Sequence, residues 1–150
     1  MYFISTRGGE RVTGAQAIIQ GLANNGGLYV PEKFPQISVD EMNAMSEMNY
    51  PERAAFVLGK YLADDLGAEY LLQSCEKAYA TFTGGDPAPL VKVDGSLFVL
   101  ELYHGPTCAF KDMALTLLPY LLKKSCEVTG IKDEILILAA TSGDTGKAAL

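Results

Sequence analysis

Hydrophobic positions in the first half of the chain recur at helical spacing, and the pattern shifts toward strands near residue 83. Ala17, Ile18 and Leu22 mark a short helix that Thr13 is placed to cap. Asn24, Asn25, Gly26 and Gly27 stop it, because asparagine and glycine tolerate the left-handed conformation at helix ends. Leu28, Tyr29 and Val30 form a brief apolar run closed by Pro31. Ser38 with Glu41 reads as a capping box opening a helix through Met42 and Met45. Asn49 caps the next helix, with Pro51 tolerated in its first turn and Gly67 at its end. Phe56, Tyr61 and Leu62 lie on its apolar side. Ala68 to Tyr79 is a further helix, with Leu71, Leu72, Cys75 and Tyr79 near helical spacing.

Gly84 to Pro89 is a turn-rich break. It divides the chain into a domain over 1–82 and a second over 83–150. Beyond it, Leu97 to Leu102 predicts a buried strand, Lys111 to about Val128 a helix, and Ile135 to Ala140 a second buried strand. Pro119 should kink or divide that helix and Gly130 should end it. Two buried strands joined by a helix predict the start of a parallel sheet with crossover helices, an α/β class. Thr141 to Gly146 is then a strand-to-helix turn, with about one helical turn after it. Globular helices usually run longer, so the sequence is expected to be the N-terminal piece of a longer protein.

Composition narrows the function. The 150 residues carry 12 Lys and Arg against 18 Asp and Glu, a net charge of -6. This argues against nucleic-acid binding, which needs clustered cations to displace counterions. Apolar residues at 49% and charged residues at 20% fit a folded globular chain. No apolar run reaches the roughly 20 residues of a bilayer span, and the N-terminus lacks a signal-peptide pattern. Cys75, Cys108 and Cys126 are far apart, with no Cys-x-x-Cys pair. That disfavours a disulfide framework or zinc site and favours a reducing compartment. A soluble cytoplasmic protein with no metal and no membrane partner is expected.

Two constellations could carry chemistry. The first runs from His104 through Gly105, Pro106, Thr107, Cys108, Ala109, Phe110 and Lys111 to Asp112. Thr107 is placed to cap a helix, which puts Lys111 at the end of the first turn, facing the positive end of the helix dipole. Phe110 could desolvate it further. Both effects favour the uncharged amine that condenses with a carbonyl. The plainer reading is a solvated lysine, the usual state of that residue. His104, the one histidine, reads as a turn or core residue, and alone it is poor grounds for a metal site. The second constellation is Thr141-Ser142-Gly143-Asp144-Thr145-Gly146-Lys147. Its glycines let the backbone approach a ligand, and free N–H groups at a helix start attract anions. It departs from a P-loop at Thr141 and Ala148, and from a dinucleotide fingerprint in its missing third glycine. The plainer reading there is an ordinary strand–turn–helix junction.

Four motifs in order resemble the threonine synthase family: Ser5-Thr6-Arg7-Gly8, Gly26-Gly27-Leu28-Tyr29-Val30-Pro31, His104 to Asp112, and Ala140 to Gly146. Asn25 stands where the family usually has Asp, and Cys108 occupies a variable position. The resemblance implies a pyridoxal-phosphate lyase of threonine biosynthesis with the tryptophan-synthase-like fold, fold type II. Such an enzyme converts O-phospho-L-homoserine and water to L-threonine and phosphate. Lys111 would bind the cofactor as a Schiff base and move protons on the substrate. Phe110 and Asp144 would also contact the cofactor, Asp144 near the ring hydroxyl. Ser142, Gly143, Asp144 and Thr145 would face the substrate carboxylate. The loop that grips the cofactor phosphate would lie beyond residue 150, so the piece alone is expected to be inactive. Two alternatives stay open: another fold-type-II lyase, or a non-catalytic anion-binding or interaction module. Oligomeric state is not legible.

Overall fold

The computed structural model describes residues 1–149. Three short strands come first: β1 (Tyr2–Ser5), β2 (Val12–Thr13) and β3 (Tyr29–Pro31). They form an antiparallel sheet in the order β2-β1-β3, with Phe3 opposite both Val12 and Pro31. Helix α1 (Gly14–Gln20) starts at Thr13, whose hydroxyl accepts the Gln16 N–H at 3.2 Å while Gln16 accepts the Thr13 N–H at 2.9 Å. Helix α2 (Val39–Ser46) opens with the expected Ser38–Glu41 box. Helix α3 (Tyr50–Leu66) is capped by Asn49, with Pro51 in its first turn. Gly67, at φ 83°, lets α3 turn back as α4 (Ala68–Tyr79).

The core lies where α1, α3 and α4 meet a later helix, α6 (Leu118–Thr129). Ala15, Leu62, Leu66, Leu71 and Cys75 are buried together with Leu117 and Leu121. Gly14 is needed at the α1–α3 crossing, since a Cβ there would stand 2.6 Å from Leu62 Cδ2. Two tyrosines of α4 tie it to the second half of the chain. Tyr79 donates its hydroxyl to the Met113 carbonyl at 3.0 Å, and Tyr70 donates to the Tyr120 carbonyl at 2.9 Å. Edge-on packing against Tyr50 and Phe82 holds the Tyr79 ring. Burial pushes its hydroxyl pKa well above the usual range.

The long helix expected after Lys111 is divided. Helix α5 (Asp112–Leu115) is a single turn, and α6 begins with Pro119 in its first turn. A proline N–H is not missed there, whereas in mid-helix it would break a bond. Gly130, at φ 77°, ends α6.

The expected parallel unit is not formed among the described residues. The run at Leu97 makes β5 (Leu97–Leu100), which pairs antiparallel with β4 (Leu90–Asp94) in an exposed hairpin rather than a buried strand. Gly95 and Ser96 form the turn between Asp94 and Leu97, and turns this short favour hairpins. Ile135 to Ala140 forms no strand. Leu136 and Leu138 are 79% and 86% exposed. A strand draws its stability from a neighbouring ladder and a covered face, and this run has neither among the described residues. Ahead of residue 83, the small β2-β1-β3 sheet adds strand structure to a half that periodicity reads as mostly helical.

Burial also raises the Cys75 thiol to about 11, so at pH 8 almost none of it is the reactive thiolate. A thiol reagent at pH 8 should label exposed Cys108 first and Cys75 only after denaturant is added. Labelling of Cys75 in the native protein at a rate near that of Cys108 would contradict this packing.

Candidate active site

The segment after β5 turns sharply. Thr83 donates its N–H to the His104 carbonyl at 2.9 Å, which ties the domain boundary to the start of the loop. The His104 ring stacks on Tyr103, and its Nε2 lies 2.7 Å from Glu101 Oε2. Hydrogen bonds from Tyr103 and His104 hold the Glu101 carboxyl below its usual range. The same contact with Glu101 pushes the Tyr103 hydroxyl up.

Asp112 organises the loop. Its side chain is fully buried, and its two oxygens accept from Thr107: Oδ2 from the N–H at 2.8 Å, Oδ1 from the hydroxyl at 2.6 Å. A buried carboxyl needs such donors. Gly105 lies against it, and a Cβ there would stand 2.4 Å from Asp112 Oδ2. This corrects the expectation that Thr107 caps a helix containing Lys111. The carboxyl takes both of Thr107's donors, α5 begins only at Asp112, and Lys111 occupies the N-cap position. Cys108 takes a left-handed φ of 58° within the turn.

Lys111 is half-buried, and its Nζ donates to Thr145 Oγ1 at 2.5 Å across 34 residues. Phe110 is too exposed, at 62%, to desolvate the amine as expected. Its ring instead presents a face 5.7 Å from Nζ, a cation–π distance. Opposite lies the turn leading into α7 (Asp144–Ala149). Gly143 adopts φ 148° and donates its N–H to Thr141 Oγ1 at 3.2 Å. Gly146 packs so closely that a Cβ would stand 2.7 Å from Thr141 Cγ2. Ser142, Gly143 and Asp144 are exposed beside it. A second lysine crosses the same gap, with Lys147 Nζ donating to the Thr107 carbonyl at 2.9 Å.

Of the residues singled out from sequence, Lys111, Phe110 and Thr145 share one cluster, and Ser142, Gly143 and Asp144 precede Thr145 in the turn. Sequence reading missed the Asp112–Thr107 pair and the reach of Lys147. The signal for the first was a carboxyl five residues beyond a threonine, legible only once the intervening turn is known. Chemically, the site sets a primary amine beside a hydroxyl and a glycine-flanked turn with exposed hydroxyl and N–H donors. Such a set can condense with a carbonyl and receive an anion. Asp112→Ala should leave both Thr107 donors unpaired and cost about 3 kcal/mol. Gly105→Ala should cost at least as much, because the added methyl overlaps the carboxyl. Urea denaturation reads both, and a change within about 0.5 kcal/mol would show the brace to be unimportant.

The threonine synthase N terminus family matches residues 2–79. Threonine synthase of Schizosaccharomyces pombe is 36% identical, the alignment covering 99% of this chain and 30% of that protein. That of Pseudomonas aeruginosa is 39% identical, covering 100% and 32% respectively. Among solved structures, the pyridoxal-phosphate-bound threonine synthase from Brucella melitensis superposes with a TM-score of 0.92 at 39% identity, over 99% of this chain and 32% of that one. Yeast threonine synthase superposes at 0.89 and 35% identity. The chain spans about a third of the length of these relatives. It belongs to the threonine synthase N terminus family.

Proposed function

We propose that this chain is the N-terminal part of a pyridoxal-phosphate-dependent threonine synthase, a cytoplasmic enzyme converting O-phospho-L-homoserine and water to L-threonine and phosphate. The observation that carries the reading is the Lys111 amine set against Thr145 in the glycine turn. Residues 1–82 form the family's N-terminal domain, and 83–150 begin the cofactor-binding domain. Because the chain spans about a third of its relatives, turnover is assigned to the longer protein and none to these 150 residues alone.

The residues present fit the cofactor. A half-buried primary amine suits covalent attachment to an aldehyde, an aromatic face stands beside it, and Gly143 leaves open space where a Cβ would project. Lys111 would hold the group, with Phe110 and Asp144 at its ring. When bound, the cofactor supplies an electron sink for charge developing on the substrate.

The chain's own residues do the rest. Asp112 and Thr107 fix the loop, so Lys111 is held at one place rather than sampling many rotamers. The Thr145 hydroxyl accepts a hydrogen bond from the Lys111 Nζ and orients it. The Lys111 amine then takes and returns protons at the substrate's α and neighbouring carbons. Ser142, Gly143, Asp144 and Thr145 face the substrate carboxylate, their N–H and hydroxyl groups setting which way the substrate lies.

In the full-length protein, Lys111→Ala should abolish the absorbance band of the bound cofactor and reduce threonine formation from phosphohomoserine by at least about 10³-fold, within the range lost with a covalent catalyst. An unchanged band in that variant would overturn the assignment. A wild-type enzyme that binds the cofactor but forms no threonine would favour another lyase of the same fold.

A further inference from the structure

Two lysine–threonine bonds cross between the same two segments, from Lys111 to Thr145 and from Lys147 to Thr107. We infer that Lys147 is a positioning residue, whose ammonium straps the turn at 141–146 to the loop carrying Lys111. This rests on the proposed function and deepens it.

The anchor end of the strap is stiff. Thr107 already gives its N–H and its hydroxyl to buried Asp112, so the carbonyl that receives Lys147 belongs to a residue engaged at every polar group. Within these 150 residues the other end, the six-residue α7, packs chiefly on the single-turn α5. Lys147 rises from the helix that also carries Thr145. One bond alone would let the turn pivot about the Lys111 amine. The second, placed on the opposite segment, removes that freedom. Charge-assisted bonds of this kind are stronger than neutral ones, and a straight four-carbon stem can span the gap where a shorter side chain cannot. The strap therefore sets how far the substrate-facing hydroxyls of Ser142 and Thr145 stand from the reacting amine.

The test uses the full-length protein with Lys147→Met, which keeps the stem and removes the donor. Lys147→Arg restores a charged donor, and Lys132→Met, at an exposed lysine, is the control. In the cofactor-free protein, amide exchange of the 141–149 peptide should quicken about tenfold in Lys147→Met, return toward wild type in Lys147→Arg, and not change in the control. In the loaded enzyme, KM for phosphohomoserine should rise about tenfold in Lys147→Met, with kcat within about twofold and the cofactor band kept. Unchanged exchange in Lys147→Met would overturn the strap. A raised KM with unchanged exchange would also overturn it, since Lys147 would then be touching the ligand directly. Because exchange is read without cofactor, the strap can stand even if Lys111 proves not to carry pyridoxal phosphate, and the two failures are separable.

Discussion

A carboxyl with no contact with water sets the shape of the candidate site. Burying Asp112 is unfavourable unless its oxygens are satisfied, and the nearest donors are those of Thr107. Satisfying them curls residues 105–112 into one compact turn, leaves room only for glycine at 105, and starts α5 one residue late. Lys111 is then the residue left over at the rim, half-buried, its amine directed to the neighbouring turn. A helix dipole acting on a fully helical lysine is not required. The loop's own hydrogen bonding does the placing.

The N-terminal elements serve as the platform for that loop. Buried Leu71 and Cys75 of α4 pack in one cluster with Leu117 and Leu121, and the Tyr79 hydroxyl on the Met113 carbonyl anchors α5 directly. Thr83 fastens the loop's other end through His104. Lys111 thus sits between two attachments to a packed core and faces the turn that carries Thr145. Support of this kind from packed elements keeps the side chains of a site in one arrangement.

Most helix caps and ends were legible from the sequence; the role of Thr107 and the distant pairings were not. The caps at Thr13, Ser38 and Asn49, the ends at Gly67 and Gly130, and the break around Pro119 all depend on a few adjacent residues, and each appears where those residues place it. Attention to long apolar runs overlooks the hairpin at Leu90, although Leu90-Val91-Lys92-Val93 and the glycine at 95 carry its signal. The apolar run at Ile135 reads as a buried strand only if a neighbour covers it, and strand identity is decided by such neighbours. The pairing of Lys111 with Thr145 spans 34 residues, which no spacing rule reaches. Only the ordered resemblance of four motifs brought those two positions to one site.

The claim that one amine is the attachment point is open to direct chemical trapping. Borohydride reduction of the full-length protein loaded with pyridoxal phosphate, followed by peptide mapping, should place the reduced cofactor on the peptide containing Lys111. A tag on Lys147 or any other lysine, with Lys111 unmodified, would contradict the account.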